Sequence, residues 1–336
     1  MRFIMLGAGA VGGVVGGRLF EHGHDVVLVA RGQHARVIAS DGLTVASALG
    51  VKKLPVPVTE RLEGVDWHGD EVVFMAVKSQ DTEEALRELI AAAPGSISVA
   101  CLQNGVANEP AALRRFANVY AVCVMCPASH LEPGVVVAES SPVTALLDIG
   151  CYPKEVDATA EAVAAALSES TMESVARPDI MRWKYAKLLR NLGNAVDALC
   201  GPAGRSSQVT QLARQEGEAC LEAAAIAFAS DEEDHARRGD RLHPTDVVGY
   251  ERGGSSTWQS LARSQGSVEV DYLNGEIVLL GRLTGVPTPV NELLQRLANQ
   301  YARAYSEPGQ MTPEEVLSLL HVRPDDGYRA GAPELP

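Results

Sequence analysis

The sequence predicts an α/β chain, with a Rossmann-type, doubly wound parallel sheet at the N-terminus followed by an all-helical domain. Three observations carry that expectation. Continuously apolar runs alternate with helical segments over residues 1 to about 130, and such strands belong in a parallel sheet covered on both faces. The first run, Phe3-Ile4-Met5-Leu6, leads directly into Gly7-Ala8-Gly9-Ala10-Val11-Gly12. Beyond about residue 175 the pattern turns to long segments of helical period.

The elements follow in order. Phe3–Leu6 reads as a buried strand, and Val14 to Phe20 as part of the next helix. Asp25–Ala30 is the second strand, and Val72–Val77 is an apolar run ending at Lys78. Asp81–Ala92 is helical, and Ile97–Leu102 is a strand ending at Gln103-Asn104-Gly105. Val119–Met125 and Gly134–Ala138 suggest further strands, and Ala158–Leu167 a helix. Long helices are expected over Ile180–Cys200, Ser207–Ala229, Val268–Leu283 and Val290–Tyr305. Residues 231–256 hold many charges and glycines and predict a long irregular connection. Residues 1–174 are thus the expected nucleotide-binding domain, 175–322 the helical domain, and 323–336, rich in Pro, Gly and charge, a mobile tail.

At 336 residues with 46% hydrophobic content the chain can fill two cores. Its net charge of −14 argues against nucleic acid or an anionic membrane surface as partner. No apolar stretch approaches the roughly eighteen residues of a membrane span. The N-terminus enters a strand at once, with no sign of a signal peptide, so a cytoplasmic protein is expected. Cys123 and Cys126 have the spacing of a redox or metal pair, but no second pair or histidine cluster supports it. The six cysteines are therefore expected as reduced, buried thiols, with no metal.

A Gly-x-Gly-x-x-Gly between strand and helix is the dinucleotide fingerprint. Gly7 permits the tight turn, Gly9 lets backbone approach a pyrophosphate, and Gly12 lets the helix pack close to the strand. The pyrophosphate then meets free N–H groups and the positive end of a helix dipole. An NAD site carries Asp or Glu about twenty residues further on, to bind the ribose 2′-hydroxyl. Here that place holds Arg31. A guanidinium pairs with a 2′-phosphate where a carboxylate would repel it, so NADP(H) is the expected cofactor.

The segment from Arg182 to Asn194 carries candidate chemistry. Tyr185, Leu188, Leu189, Leu192, Val196 and Leu199 share one apolar helical face. Trp183, Lys187, Asn191 and Asn194 lie on another, where a lysine and two asparagines suit an anionic or carbonyl ligand. Asparagine is a poor helix former, which favours function over a plain solvated face. In a second segment, Ser267 is a candidate N-cap and Glu269 a first-turn acid sharing a face with Leu273 and Leu280. Glu269 is open to two readings, dipole stabilisation or ligand contact.

Over nearly its whole length the chain resembles the ketopantoate reductase (2-dehydropantoate 2-reductase) family. The resemblance rests on Gly7–Gly12 with Arg31, Val77-Lys78, Gln103-Asn104-Gly105, Trp183 through Asn194, Glu269 through Gly275, and Gly285-Val286-Pro287-Thr288-Pro289. It implies a Rossmann domain, a helical domain like the C-terminal one of 6-phosphogluconate dehydrogenase, and an active site in the cleft between them. It further implies NADPH-dependent reduction of a small 2-oxo acid, ketopantoate, to pantoate for coenzyme A synthesis. By resemblance Lys187 is the catalytic lysine and proton donor, and Glu269 binds the substrate hydroxyl and supports that lysine. Asn104 lies near nicotinamide and substrate, Asn191 binds substrate, and Arg31 and Lys78 surround the 2′-phosphate. Ser256 matches a serine that contacts the substrate carboxylate.

There are departures from the family pattern. Asn194, also a candidate substrate ligand, is one residue nearer to Lys187 than the pattern has it. Lys184, about 60° around the helix from Lys187, is a rival acid. Two alternatives stay open: the same machinery acting on another carbonyl or imine, and an NADP-binding sensor without turnover. Lys187 and Glu269 together count against the sensor. A homodimer is neither required nor excluded by the sequence.

Overall fold

The computed structural model describes residues 1–250 and 253–321. The first strand, β1 (Arg2–Leu6), buries Phe3 and Met5 in one core and Ile4 and Leu6 in another. A strand covered on both faces has to be apolar throughout, and this one is. It is followed by α1 (Ala10–Glu21), β2 (Asp25–Val29), α2 (Gly32–Asp41), β3 (Leu43–Ser47), β4 (Gly50–Leu54) and β5 (Val58–Thr59). Then come β6 (Val72–Met75), α3 (Thr82–Ala92), β7 (Ser98–Cys101), α4 (Asn108–Leu113) and β8 (Asn118–Met125). The sheet region closes with β9 (Ala128–Ser129), β10 (Val135–Ala138), β11 (Ser140–Pro142), β12 (Leu146–Cys151) and α5 (Ala158–Ser168).

Seven strands form the main sheet in the order β12-β8-β7-β6-β1-β2-β5. All pairs are parallel except β12, which runs antiparallel to β8. The winding reverses between β1 and β6, so the loops after these strands open on a crevice where doubly wound sheets hold ligands. A second sheet, β4-β3-β10-β9, covers the other side of α1. That sandwich explains a glycine-rich helix. A Cβ on Gly16 would come within 2.8 Å of Met5 and Leu28, and one on Gly13 or Gly17 would strike Val136 or Val45.

The helical part comprises α6 (Ile180–Asn191), α7 (Gly193–Cys200), α8 (Gln208–Ala223), α9 (Asp231–Arg238), strand β13 (Leu242–Pro244) and α10 (Ser256–Ala262). It continues through a 3₁₀ turn (Glu269–Tyr272), α11 (Asn274–Thr284), α12 (Pro289–Arg303) and α13 (Pro313–His321). Helices α6 and α7 are one rod interrupted at Leu192. Leu188, Leu189, Leu192, Val196 and Leu199 sit in the helical core, as their periodicity predicts. The opposite face of α6 places Ile180, Trp183 and Ala186 against Ala121, Cys123 and Met125 of β8. This contact fixes the helical part relative to the sheet.

The structure corrects several expectations. Residues 231–256 do not form one irregular connection. Ser230 and Glu233 make a reciprocal capping box, with acids in the first turn and bases in the last, and they start α9 without an apolar stripe. Strand β13 then pairs antiparallel with β11, so the helical part holds one strand. Helix α8 ends at Ala223 rather than Ala229. Ser267 is not a helix cap, because Glu269 lies in the 3₁₀ turn and α11 begins only at Asn274. Of the six free cysteines, Cys126 and Cys151 are only partly buried. The expected tail, 323–336, lies outside the described residues. Among those described, no helix is long and apolar enough to cross a membrane.

Candidate active site

A cleft of about 1480 Å³ runs from the carboxyl edge of the main sheet to α6, α7 and α10. That is larger than a drug-sized ligand needs and suits a dinucleotide beside a small acid. Its floor is the glycine loop. Gly7 has φ +105°, and a Cβ there would meet the Ala76 backbone at 2.9 Å. A Cβ on Gly12 would lie 2.0 Å from the Gly7 carbonyl oxygen. Both glycines therefore serve the turn itself. Gly9 differs, because a Cβ there would meet nothing within 4 Å, and the residue lines the cleft together with Gly7, Ala8, Ala10 and Val11. Gly9 is also the N-cap of α1 and provides no side-chain cap. The loop thus presents a smooth backbone surface and an uncapped helix start, which fits a pyrophosphate. His34 braces it: Nε2 donates to the Ala8 carbonyl at 2.7 Å, while Nδ1 accepts from Gly134 N–H at 2.8 Å.

Arg31 lies where β2 gives way to α2 and lines the same cleft. Its guanidinium pairs with Glu88 at 3.0 Å, both side chains being well exposed. Glu60 and Asp81 line the cleft as well. Lys78 is the N-cap residue of the turn after β6. It reaches across to the helical part, donating to Ser260 Oγ and to Gln265 Oε1 at 2.8 Å. Burial pulls its ammonium down to about 8, opposed by the charge of Glu269.

The two lysines of α6 separate clearly. Lys184 is buried, pairs with Glu109 at 2.5 Å and donates to the Gln103 carbonyl at 2.9 Å. Lys187 is half-buried and lines the cleft. Burial lowers its ammonium to about 8, with Arg238 adding to the effect and Cys123 opposing it. The docking of α6 on β8 therefore commits Lys184 to structure and leaves Lys187 facing the cleft.

The polar candidates meet in pairs around Lys187. Asn191 Nδ2 donates to Asn104 Oδ1 at 3.0 Å, joining the helical part to the loop after β7. Asn194 Nδ2 donates to Ser256 Oγ at 3.4 Å. The interruption at Leu192 accompanies the one-residue offset of Asn194, whose side chain still lines the cleft. Ser255, not Ser256, caps α10, and its N–H donates to Asp197 at 2.7 Å.

Glu269 lines the cleft but its bonds differ from the expectation. Its carboxylate accepts from Ser79 N–H at 3.1 Å and Ser79 Oγ at 3.3 Å, and its charge acts on Lys78. The groups acting on Lys187 are instead Arg238, Cys123, Arg190 and Asp234. Glu269 in this structure ties the 3₁₀ turn to the loop after β6 and does not brace Lys187.

Sequence reasoning missed further residues. Asn108 is buried and bonds Ser79, Thr82 and the Asn104 carbonyl, fixing the loop that carries Asn104. Arg190 and Arg238 line the cleft beside Lys187 and share the carboxylate of Asp234, at 2.6 and 2.7 Å. The capping box at Ser230 would have revealed α9, and with it the i,i+4 pair of Asp234 and Arg238.

Comparisons with known proteins agree with this architecture. A family profile described as "Ketopantoate reductase PanE/ApbA" matches residues 3–153, and its C-terminal counterpart matches 179–302. A 2-dehydropantoate 2-reductase of Archaeoglobus fulgidus is 30% identical over 88% of this chain and 96% of its own length. One from Pyrococcus abyssi is 28% identical over 88% and 95%. A PanE/ApbA family ketopantoate reductase from Ralstonia eutropha JMP134 superposes with TM-score 0.74, at 28% identity, over 91% of this chain and 99% of that one. A D-mandelate dehydrogenase held with NADH and anilino(oxo)acetate has TM-score 0.77 at 22% identity, over 91% and 99%, which shows a shared fold. With the profiles spanning both parts of the chain, this protein belongs to the ketopantoate reductase family and is an oxidoreductase acting on CH–OH.

Proposed function

We propose that the protein reduces a small 2-oxo acid with NADPH, with 2-dehydropantoate the reference substrate and pantoate its product. The observation that carries this reading is Lys187, an ammonium facing the cleft whose floor is the glycine loop. Gly7, Ala8, Gly9, Ala10, Val11 and Gly12 would hold the cofactor's pyrophosphate. Arg31, released from Glu88, would pair with the 2′-phosphate, with Lys78 and Asn104 completing the cofactor side. When bound, the reduced nicotinamide supplies the hydride.

The chain's own residues then have defined tasks. Negative charge grows on the keto oxygen as the carbonyl carbon is reduced, and Lys187 Nζ can hydrogen-bond that oxygen and pass it a proton. With its ammonium near 8, Lys187 is mostly protonated at neutral pH and still a willing donor. Asn104 and Asn191 offer uncharged hydrogen bonds that orient the substrate, while Asn194 and Ser256 suit its carboxylate. Glu269, which accepts from Ser79, would also accept from a hydroxyl of the substrate. The likeness to a mandelate dehydrogenase supports a fold that serves several 2-oxo acids. The test is NADPH oxidation, followed by absorbance, over a panel of 2-oxo acids that includes 2-dehydropantoate. Turnover with at least one, and a preference for NADPH over NADH, is expected. Tight NADPH binding without turnover on any carbonyl would favour a sensor.

A further inference from the structure

The cleft has a second cationic pole that the proposed reduction of a simple 2-oxo acid leaves unused. Among the described residues lining it are seven Lys or Arg (31, 78, 187, 190, 205, 238, 263) and six Asp or Glu (60, 81, 88, 139, 197, 269). In a chain of net charge −14 that is a local reversal of sign. Four of the seven are already engaged, Arg263 by donating to the His130 carbonyl at 2.8 Å. Arg31 has Glu88, Arg205 has Asp197 at 2.6 Å, and Lys78 has hydrogen-bond partners and the field of Glu269. Arg190 and Arg238 are different, because both depend on one carboxylate. Asp234 Oδ2 accepts from Arg190 Nη1 and from Arg238 Nε, leaving one positive charge over.

The arrangement is rigid. Next to Arg238, Arg237 turns the other way and is buried on Asp148 of β12, with contacts at 2.7, 2.9 and 3.2 Å. Asp148 also accepts from Arg177 at 2.6 Å. This network pins α9 to the sheet edge and so fixes where Arg238 stands. Arg238 Nη2 is buried with no hydrogen-bond partner among the described residues. The rest of the side chain lines the cleft, and a carboxylate is the partner a guanidinium fits best.

We propose that Arg190 and Arg238 form a second anion subsite beyond Lys187, so that the preferred substrate is a 2-oxo diacid. The inference rests on the 2-oxo acid reading and sharpens it. The keto oxygen meets Lys187, the adjacent carboxylate meets Asn194 and Ser256, and a distal carboxylate meets the two guanidiniums. Asp234 Oδ2 brings both guanidiniums onto one oxygen without neutralising both.

The test compares 2-oxoglutarate with 2-oxopentanoate, which has the same chain length and no distal charge, and includes 2-dehydropantoate. Wild-type kcat/KM is expected to favour the diacid by roughly tenfold or more, the scale of a charge-assisted hydrogen bond. Arg238→Met and, separately, Arg190→Met should each cut the diacid-to-monoacid ratio at least about fivefold. The ratio is internal to each preparation, so partial loss of folded enzyme cancels. A wild type that prefers the monoacids, or a ratio unchanged in both variants, overturns the subsite while leaving the 2-oxo acid reading intact. An enzyme that reduces neither these three nor any other member of the 2-oxo acid panel overturns the reading itself.

Discussion

Gly9 and Gly12 stand three residues apart in one motif, yet the structure assigns them opposite sensitivities. At Gly9 the backbone is extended, with φ −68°, and an added methyl meets, beyond its two chain neighbours, no atom of the described residues within 4 Å. Gly9→Ala should therefore fold normally. Fewer unfolded conformations would raise stability by about 0.4–1 kcal/mol, or about 1–3 °C in Tm for a chain of this size. The methyl would occupy the space that the proposed complex assigns to the pyrophosphate. Loss of one or two charge-assisted hydrogen bonds then weakens NADPH binding by roughly 10- to 100-fold. At Gly12 the methyl would fall 2.0 Å from the Gly7 carbonyl oxygen and 2.8 Å from Ala76 Cβ. Backbone has to move, so Gly12→Ala should cost about 1–3 kcal/mol and lower Tm by at least about 3 °C. Thermal unfolding without ligand, with a fluorescence titration of NADPH, separates the two effects. Wild-type NADPH affinity in Gly9→Ala would refute the placement of the pyrophosphate on this loop.

Breaking the buried Lys184–Glu109 pair by Lys184→Met should cost about 3–5 kcal/mol, because Glu109 is left charged and buried, whereas the double change Lys184→Met with Glu109→Leu should recover most of it. Chemical denaturation checks this, and a single variant as stable as wild type would contradict the assigned structural role. Glu88→Gln should free Arg31 and tighten NADPH binding up to about fivefold with little change for NADH, since an exposed pair is worth at most about 1 kcal/mol. Equal effects on both cofactors, read from parallel titrations, would remove Arg31 from the 2′-phosphate.

Local patterns carried much of the fold. The apolar runs of β1, β2, β6, β7 and β8 and the period of α6 and α7 are properties of short stretches, and the strands and helix faces follow them. Which lysine faces the cleft is not such a property. Lys184 and Lys187 differ by 60° on one helix, and only the docking of Trp183 and Ala186 on β8 decides between them. The partner of Glu269 is Ser79, 190 residues away, beyond any local signal. Helix α9 escaped because its stability comes from a capping box and ion pairs rather than an apolar stripe, although Ser230 and Glu233 carry the capping signature openly. That omission also hid Arg238. The strand, turn and helix of the glycine loop, by contrast, were legible, because backbone turn chemistry is written in the residues themselves.

In the proposed reaction Lys187 delivers the proton to a substrate keto oxygen. The most direct measurement is the pH profile of kcat/KM for NADPH-dependent 2-oxo acid reduction by wild type and Lys187→Met. In the wild type the ammonium is present below about 8 and lost above it, so activity should fall as pH rises through that value. The variant should be at least about a hundredfold slower and lack that limb. A Lys187→Met enzyme with wild-type turnover and an unaltered descending limb would rule out Lys187 as the proton donor.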